Sequence, residues 1–123
     1  MTGARAASAY RKVDLESAPK EQILDRLLER FLADVAAARA AIARGDIEAK
    51  AKSIGHAAAI IVELNASLDA TAAPELCANL ASLYDYANER LNVANVKLSV
   101  AALDDASRII GVLGDAFRQA RAR

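Results

Sequence analysis

Apolar residues recur every three or four positions along four long stretches of this chain, and no other feature limits its fold as much. Residues at that spacing share one face of an α-helix, so each stretch predicts an amphipathic helix. The stretches are separated by Gly45-Asp46, by residues 69–73 and by Ser99. Long helices with such short connections are typical of up-down bundles. The fold class that we predict is therefore all-α, an antiparallel up-down four-helix bundle.

Capping residues mark where these helices begin and end. Ser17 suits the cap of the first helix and Pro19 its first turn, while Gly45 and Asp46 suit a helix end followed by a new cap. Because residues 1–16 show no sustained period, we expect a flexible N-terminal arm there and a single helical bundle domain over residues 17–123. The expected helices cover residues 18–43, 47–68, 74–97 and the stretch that follows the cap at Ser99.

Each predicted helix carries an apolar stripe that can pack into the core, and we expect the third helix to be half scaffold and half binding surface. The stripes are Leu24, Leu27, Leu28, Phe31, Val35, Ala38 and Ile42; Ile47, Ala51, Ile54, Ala58, Ile61 and Leu68; Leu80, Leu83, Tyr84, Ala87, Leu91 and Ala94; and Leu103, Ala106, Ile110, Leu113, Phe117 and Ala120. Ile60 and Leu64 widen the second stripe to another face. Tyr84 and Tyr86 lie on different faces of the third helix, so one suits the core and the other a surface.

Composition indicates a thin core that leaves grooves open. Hydrophobic residues make up 54% of the chain but aromatic residues only 4%. The apolar mass is therefore mostly alanine, leucine, isoleucine and valine. Alanine is the best helix former, yet it fills little volume. We expect some of the apolar surface to stay uncovered and to serve a partner.

Charge and the remaining composition exclude several classes of partner. The chain carries 16 basic and 16 acidic residues, so its totals do not predict a nucleic-acid-binding protein. The N-terminal stretch lacks the apolar segment of a signal peptide. A membrane-spanning helix needs about 20 apolar residues, and no apolar run in the sequence approaches that length. The chain has a single cysteine, so it cannot form an internal disulfide. We expect a cytoplasmic protein with no direct membrane insertion.

Catalytic and metal-binding motifs are not found in the sequence. His56 is the single histidine and Cys77 the single cysteine, so zinc sites and di-iron pairs are not predicted. A histidine phosphotransfer bundle would need a lysine and a glycine three and four residues after His56, where Ala59 and Ile60 stand. We therefore expect a protein that is not an enzyme and that binds no cofactor and no metal. We expect Cys77 to be buried as a small apolar residue.

Several motifs in order carry a resemblance to a known family. They are Ala9-Tyr10, Gly45-Asp46-Ile47-Glu48, Ile61-x-x-Leu64-x-x-x-Leu68-Asp69, Asn79-Leu80-x-x-Leu83-Tyr84-Asp85-Tyr86 and Arg90-Leu91-x-x-Ala94-Asn95. Over residues 9–120 the chain resembles the flagellin-specific export chaperones, the FliS family. It departs from the family pattern at residues 27–30, at Pro19 and at Phe117, where the family commonly has tryptophan.

The resemblance implies a function and two partners. Members of this family bind the disordered C-terminal segment of flagellin in the cytoplasm and keep flagellin from polymerising prematurely. They also aid its delivery to a component of the flagellar type III export gate. The arm around Tyr10 would lie over part of the surface that flagellin uses. Independently of the resemblance, exposed apolar strips could pair two copies of the chain into a homodimer when cargo is absent.

We expect the cargo to bind through a groove on the second, third and fourth helices. The predicted partner-binding residues are Tyr10, Ile60, Leu64, Leu83, Tyr84, Tyr86, Leu91, Asn92, Asn95 and Leu103. An aspartate at Leu64 or Leu91 is expected to weaken cargo binding. The alternative function is an adaptor or regulatory bundle that binds another protein client, and a phosphotransfer bundle is a third.

Overall fold

The computed structural model describes residues 18–68, 70–71 and 73–122, and it is built from four α-helices. These helices are α1 (Ala18–Arg44), α2 (Ile47–Ala66), α3 (Pro74–Lys97) and α4 (Val100–Ala122). The prediction of an all-α four-helix fold is confirmed, with α2 ending two residues earlier than expected. The predicted arm over residues 1–16 and the predicted cap at Ser17 lie outside the described residues.

The turn between α1 and α2 has the geometry that the sequence predicts. Gly45 has a left-handed φ of +74°, which glycine adopts without steric cost. The Asp46 amide donates to the Ala41 carbonyl at 2.9 Å and the Gly45 amide to the Ile42 carbonyl at 3.2 Å. This is a Schellman ending. The Asp46 carboxylate then accepts from the Ala49 amide at 3.0 Å and caps α2.

The turn between α3 and α4 is equally short but contains no glycine. Leu98 follows the last residue of α3 and has a φ of +55°, in the left-handed region. Ser99 caps α4 as predicted, because its hydroxyl accepts from the Ala102 amide at 3.1 Å. A side chain in the left-handed region costs about 1–2 kcal/mol. Leu98 is therefore a point of local strain in the bundle.

Each helix packs against two neighbours, and together they close a four-sided bundle. The packed pairs are α1–α2, α2–α3, α3–α4 and α4–α1. The Lys50 ammonium near the start of α2 donates to the Asn95 carbonyl near the end of α3 at 2.7 Å. Arg39 near the end of α1 pairs with Asp104 near the start of α4. Neighbouring helices therefore run antiparallel.

One continuous apolar core fills the space between the helices. Tyr84, Phe31 and Phe117 are its largest fully buried side chains, and Cys77 is buried within it as predicted. Its other buried members are Leu24, Leu28, Val35 and Ala38 of α1; Ile54, Ala57, Ile60, Ile61 and Leu64 of α2; Leu76, Leu80, Ala87, Leu91 and Ala94 of α3; and Ala102, Leu103, Ala106, Ile110 and Leu113 of α4.

The predicted stripe on α2 is wrong at its first turns. Ile47 and Ala51 are exposed, whereas Ile60 and Leu64, predicted on a second face, belong to the core. The buried stripe starts at Lys50, which is only 6% exposed. Its aliphatic stem occupies a core position while its ammonium bonds the Asn95 carbonyl. A stripe read from apolar residues alone misses this lysine, although its later members Ile54, Ala58, Ile61 and Leu68 do lie in or against the core.

The burial of Leu64 changes the expected effect of a charge at that position. Leu64 is 1% exposed, so aspartate there would bury a carboxylate without a partner. We predict that Leu64→Asp lowers the free energy of unfolding by about 3 kcal/mol or more, measured by urea denaturation. Val62→Asp on the same helix, where the side chain is exposed, serves as the control and should change it by less than about 1 kcal/mol. Equal losses would contradict the assignment of Leu64 to the core.

The strain at Leu98 predicts a stabilising substitution. Leu98→Gly should raise the free energy of unfolding by about 1 kcal/mol, because glycine adopts a positive φ without the clash that a side chain makes. Val96→Gly, at an exposed position still within α3, should lower it by about 1 kcal/mol. Urea denaturation of both variants shows whether each change raises or lowers the free energy of unfolding. A loss of stability in Leu98→Gly would show that Leu98 is not strained.

Candidate functional site

Two grooves flank α3, one on the side of α4 and one on the side of α2. The first, the α3/α4 groove, has a volume of about 430 Å³. It is lined by Leu83, Arg108, Ile109, Val112, Leu113 and Ala116. The second, the α2/α3 groove, has a volume of about 200 Å³. It is lined by Ala51, Ile54, Gly55, Ala58, Asn88, Leu91, Asn92 and Asn95.

The α3/α4 groove is apolar and open to solvent. Val112 is 63% exposed, and Leu83 and Ile109 are half-buried. Tyr86 is 45% exposed and lies three residues after Leu83, hence on the same side of α3. Aliphatic side chains with an aromatic ring beside them are well suited to bind the apolar face of a helix. The chemistry of this groove is that of a protein-binding surface.

An ion-pair network holds one rim of the α3/α4 groove. The Asp105 carboxylate accepts from Arg90 of α3 at 3.1 Å and from Arg108 at 2.8 Å. Arg90 and Asp105 are both half-buried, so the pair is screened less than a surface pair. The network joins α3 to α4 and fixes the Arg108 guanidinium at the groove. It therefore places a cation beside an apolar surface.

The α2/α3 groove has two walls of different chemistry. On α2 the wall is made of small residues, Ala51, Gly55 and Ala58, spaced four and three apart. A Cβ added at Gly55 would meet nothing within 4 Å, so the space over this wall is open. On α3 the wall consists of amides, Asn88 and Asn92 with Asn95 next along the helix. Within the part of the chain that the structure describes, the Oδ1 atoms of Asn88 and Asn95 are buried without a hydrogen-bond partner.

Lys50 bonds the backbone of Asn95, which lines one end of the α2/α3 groove. Its ammonium donates to the Asn95 backbone carbonyl, one of the last carbonyls of α3. Such carbonyls have no partner within the helix, and a cation near them also complements the helix dipole. The lysine thereby fixes the backbone that carries Asn95.

The structure separates the predicted partner-binding residues into three groups. Leu83 lines the α3/α4 groove with Tyr86 beside it, and Leu91, Asn92 and Asn95 line the α2/α3 groove. Burial in the core corrects the expectation of an open surface for the remaining described residues, which are Ile60, Leu64, Tyr84 and Leu103. Leu91 is itself buried and contributes only to the groove floor. Tyr10 lies outside the described residues.

Most of the groove residues that the sequence did not point to lie on the outer walls of the two grooves, while Ile54 and Leu113 are core residues at the groove floors. Ile109, Val112 and Ala116 repeat at spacings of three and four beside the core stripe of α4, and this second stripe was a readable signal. Gly55 and Asn88 gave no such signal. A glycine and an asparagine within a helix indicate an open groove only once the neighbouring helix is placed.

Neither a metal-binding cluster nor a membrane-spanning helix is found among the described residues. Within those residues, no cluster of three or more histidine, cysteine, aspartate or glutamate side chains is placed to hold a metal ion. None of the described helices combines the length and the apolar character that crossing a membrane requires. His56, the residue that a phosphotransfer bundle would use, is exposed on α2.

Comparison with known proteins gives a consistent family match. A family model described as flagellar protein FliS matches residues 3–123. The flagellar secretion chaperone FliS of Salmonella typhimurium is 30% identical over 124 residues, which cover 97% of this chain and 92% of that protein. The flagellar secretion chaperone FliSB of Pseudomonas aeruginosa is 32% identical over 114 residues, 89% of this chain and 90% of that protein. FliS of Bacillus subtilis is 30% identical over 113 residues, 92% of this chain and 84% of that protein.

The half-buried network at Asp105 predicts that two adjacent aspartates, Asp104 and Asp105, contribute unequally to the free energy of unfolding. Asp105→Ala removes the bonds to two arginines and should lower the free energy of unfolding by about 1.5 kcal/mol or more. Asp104→Ala removes an exposed pair with Arg39 and should cost less than about 1 kcal/mol. Urea denaturation of both variants measures the difference. If Asp104→Ala cost as much as Asp105→Ala, the network would not be what fixes α3 to α4.

Proposed function

Since the chain belongs to the FliS family of flagellar proteins, we propose that it is a flagellar secretion chaperone that binds the C-terminal segment of flagellin. In this proposal it acts in the cytoplasm, keeps flagellin from polymerising prematurely and aids its delivery to a component of the type III export gate. The observation that carries the proposal is the family match over residues 3–123. The open grooves beside α3 supply a binding surface for it.

The α3/α4 groove is suited to an amphipathic helix. A cargo helix that packs against neighbours in the assembled filament exposes its apolar stripe while the cargo is free, and this exposed stripe promotes polymerisation. Leu83, Val112 and Tyr86 offer a substitute partner for that stripe, in the helix-in-groove mode of recognition. Arg108 on the rim can donate hydrogen bonds to an acidic side chain of the cargo. The groove would thereby cover the surface through which cargo molecules associate.

The closed core supports binding to the outside of an intact bundle. Tyr84, Leu64 and Leu103 each have no more than 1% of their surface exposed, so in this proposal they hold the helices together and do not contact the cargo. A cargo segment that is disordered when free must lose conformational entropy on binding. Such an interface stays reversible even when its area is large. Reversibility is what a chaperone needs if it is to release its cargo at an export gate.

No catalytic step is part of this proposal. Holding and releasing a client requires complementary surfaces and a competing partner, and neither requires a nucleophile or a general base. Release at the export gate would follow from competition for the cargo or for the grooves. The Asp105 network keeps the α3/α4 groove in a fixed shape, so the chaperone is organised for binding before the cargo arrives.

The proposed function is tested by calorimetry against a peptide that covers the last ~40 residues of the cognate flagellin, a length over which coupled folding buries a large surface. We expect saturable binding with a large negative heat-capacity change. Val112→Asp should weaken binding at least about 10-fold, because it places a charge in the apolar groove without touching the core.

Ile23→Asp is the matched control for that variant. Ile23 is also an exposed aliphatic residue, but it lies on α1 and lines neither groove. Binding to Ile23→Asp should stay within about twofold of wild type, as is usual for surface changes outside an interface. Absence of binding by the wild-type chain would contradict the proposed function and favour a bundle that serves another client.

A further inference from the structure

Three exposed aliphatic side chains lie at one end of the bundle, where the α1–α2 turn and the α3–α4 turn meet. Ile47, the first residue of α2, is 53% exposed, while Val96 near the end of α3 is 71% and Leu98 just after it 44% exposed. The bond from the Lys50 ammonium to the Asn95 carbonyl joins these two helix ends. Ile47 lies three residues before this lysine and Leu98 three residues after this asparagine, so both lie about one helical turn beyond that bond. We call the three side chains the bundle-end patch.

The bundle-end patch is separate from the core and from the two grooves beside α3. Its members line neither the α3/α4 groove nor the α2/α3 groove. They do not belong to the apolar core either. Neighbouring exposed aliphatic side chains indicate an interaction surface, whereas single ones scattered over a protein do not. The patch therefore calls for an explanation other than core packing and other than groove formation.

The backbone conformation of Leu98 is a second sign of an interaction at this end. Its φ of +55° and ψ of +38° are left-handed, at a helix end where glycine is the usual residue. A side chain adopts this conformation at a steric cost, and almost half of the leucine surface stays exposed to water. Burial within the single chain therefore offsets only part of that cost. Strained residues of this kind cluster at functional surfaces, and a contact outside the single chain would account for a leucine at this position.

Two charged side chains of opposite sign adjoin the bundle-end patch. Glu48 follows Ile47 at the start of α2. Lys97 lies between Val96 and Leu98 in the chain. Both charged side chains are exposed, and neither forms an ion pair with another side chain in the part of the chain that the structure describes. Apolar residues with a negative charge on the α2 side and a positive charge on the α3 side are complementary to a copy of themselves rotated by a two-fold axis.

We propose that the bundle-end patch is the contact between two copies of this chain in a two-fold symmetric dimer. The three aliphatic side chains of one copy pack on the same three of the other copy. Glu48 of each copy pairs with Lys97 of the other copy, so the ion pair occurs twice. Three aliphatic side chains cover much less than the about 800 Å² per partner that a standard stable interface buries, so the dimer is weak and reversible.

A dimer through the bundle-end patch differs from one that pairs through the grooves. Because the patch residues line neither groove, both grooves beside α3 stay uncovered in the proposed dimer. Two copies paired through exposed groove residues such as Val112 would instead cover the surface proposed for cargo. An unrelated partner whose surface carries charge of one sign would leave Glu48 or Lys97 facing a like charge, whereas a second copy matches both. The inference concerns the chain alone and does not depend on the proposed function.

Sedimentation velocity of the full chain tests the proposal. We expect a shift from monomer to dimer between about 10 μM and 1 mM, the range in which small interfaces dissociate. Val96→Asp should weaken dimerisation at least about 10-fold, because it brings two carboxylates into the apolar contact. Val112→Asp is the matched control, since Val112 is also an exposed valine but lies in the α3/α4 groove. Its dimer Kd should stay within about twofold of wild type.

Charge reversal tests the two-fold arrangement. Glu48→Lys alone and Lys97→Glu alone should each weaken dimerisation at least about threefold at low salt, because each places like charges opposite one another. The double variant Glu48→Lys with Lys97→Glu restores both ion pairs in reversed orientation, and its dimer Kd should return to within about twofold of wild type.

Leu98→Gly separates dimerisation from folding. This variant is expected to raise the free energy of unfolding of the single chain, because glycine relieves the strain at that position. It should nevertheless weaken dimerisation at least about threefold, since it removes one of the three aliphatic side chains of the contact. Sedimentation velocity measures the dimer Kd, and urea denaturation at a concentration where the chain is monomeric measures the stability.

Three results would overturn the proposed dimer. The first is a wild-type chain that stays monomeric up to about 1 mM, a concentration at which even a weak interface forms. The second is a loss of dimerisation in Val112→Asp as large as that in Val96→Asp, which would move the contact to the groove. The third is a double charge reversal that dimerises no better than the single reversals. Each of these results leaves the proposed function standing, because calorimetry with the flagellin peptide tests that function separately.

Discussion

The packing of α3 between α2 and α4 is the constraint on which the rest of the structure depends. Leu80, Tyr84 and Leu91 fill the centre of the bundle, while Ala87 and Ala94 let the neighbouring helices approach closely. This narrow buried stripe leaves both flanks of α3 uncovered. The thin core expected from an alanine-rich composition is thus also the origin of the grooves. The buried face of α3 supplies stability, and its two flanks carry the proposed binding surface.

The two flanks of α3 differ because their neighbours differ. α4 presents Ile109 and Val112, which make one groove apolar, and its Asp105 network keeps that groove in shape. α2 presents small residues opposite a row of asparagines, which makes the other groove narrow and polar. A cargo that folds on binding would meet two surfaces of unlike chemistry. Two unlike surfaces discriminate between clients better than one broad apolar surface, because a wrong client leaves either polar groups or apolar area unmatched.

Much of the fold was predictable because the signals that determine it are local. Helical period, the Gly45-Asp46 turn and the cap at Ser99 each depend on neighbours in sequence, and all three are found as predicted. The strain at Leu98 was not predictable, because the tertiary arrangement of α3 and α4 imposes it on a residue that does not prefer it. The burial of Lys50 was missed for a related reason, since it depends on the Asn95 carbonyl of a neighbouring helix, to which the Lys50 ammonium donates.

The candidate site was less predictable than the fold. The sequence directs attention to α3, and Leu83, Asn92 and Asn95 do line grooves. It cannot tell which of two adjacent apolar stripes a neighbouring helix covers, and this is why Leu64, Tyr84 and Leu103 were expected at a surface although they are in the core. Family motifs do not resolve the question, because core residues and binding residues are interleaved along the same helix.

The central claim is that cargo binds to the outside of an intact bundle, on the two flanks of α3. A two-dimensional amide and methyl NMR titration of the isotope-labelled chain with the flagellin C-terminal peptide tests it most directly. If the cargo binds there, the NMR signals of the groove residues Leu83, Val112, Asn92 and Gly55 should shift together. The signals of core residues such as Leu28 and Ile110 should keep their positions. Shifts centred on the core, or on the outer face of α1, would show that cargo opens the bundle or binds elsewhere, and would contradict it.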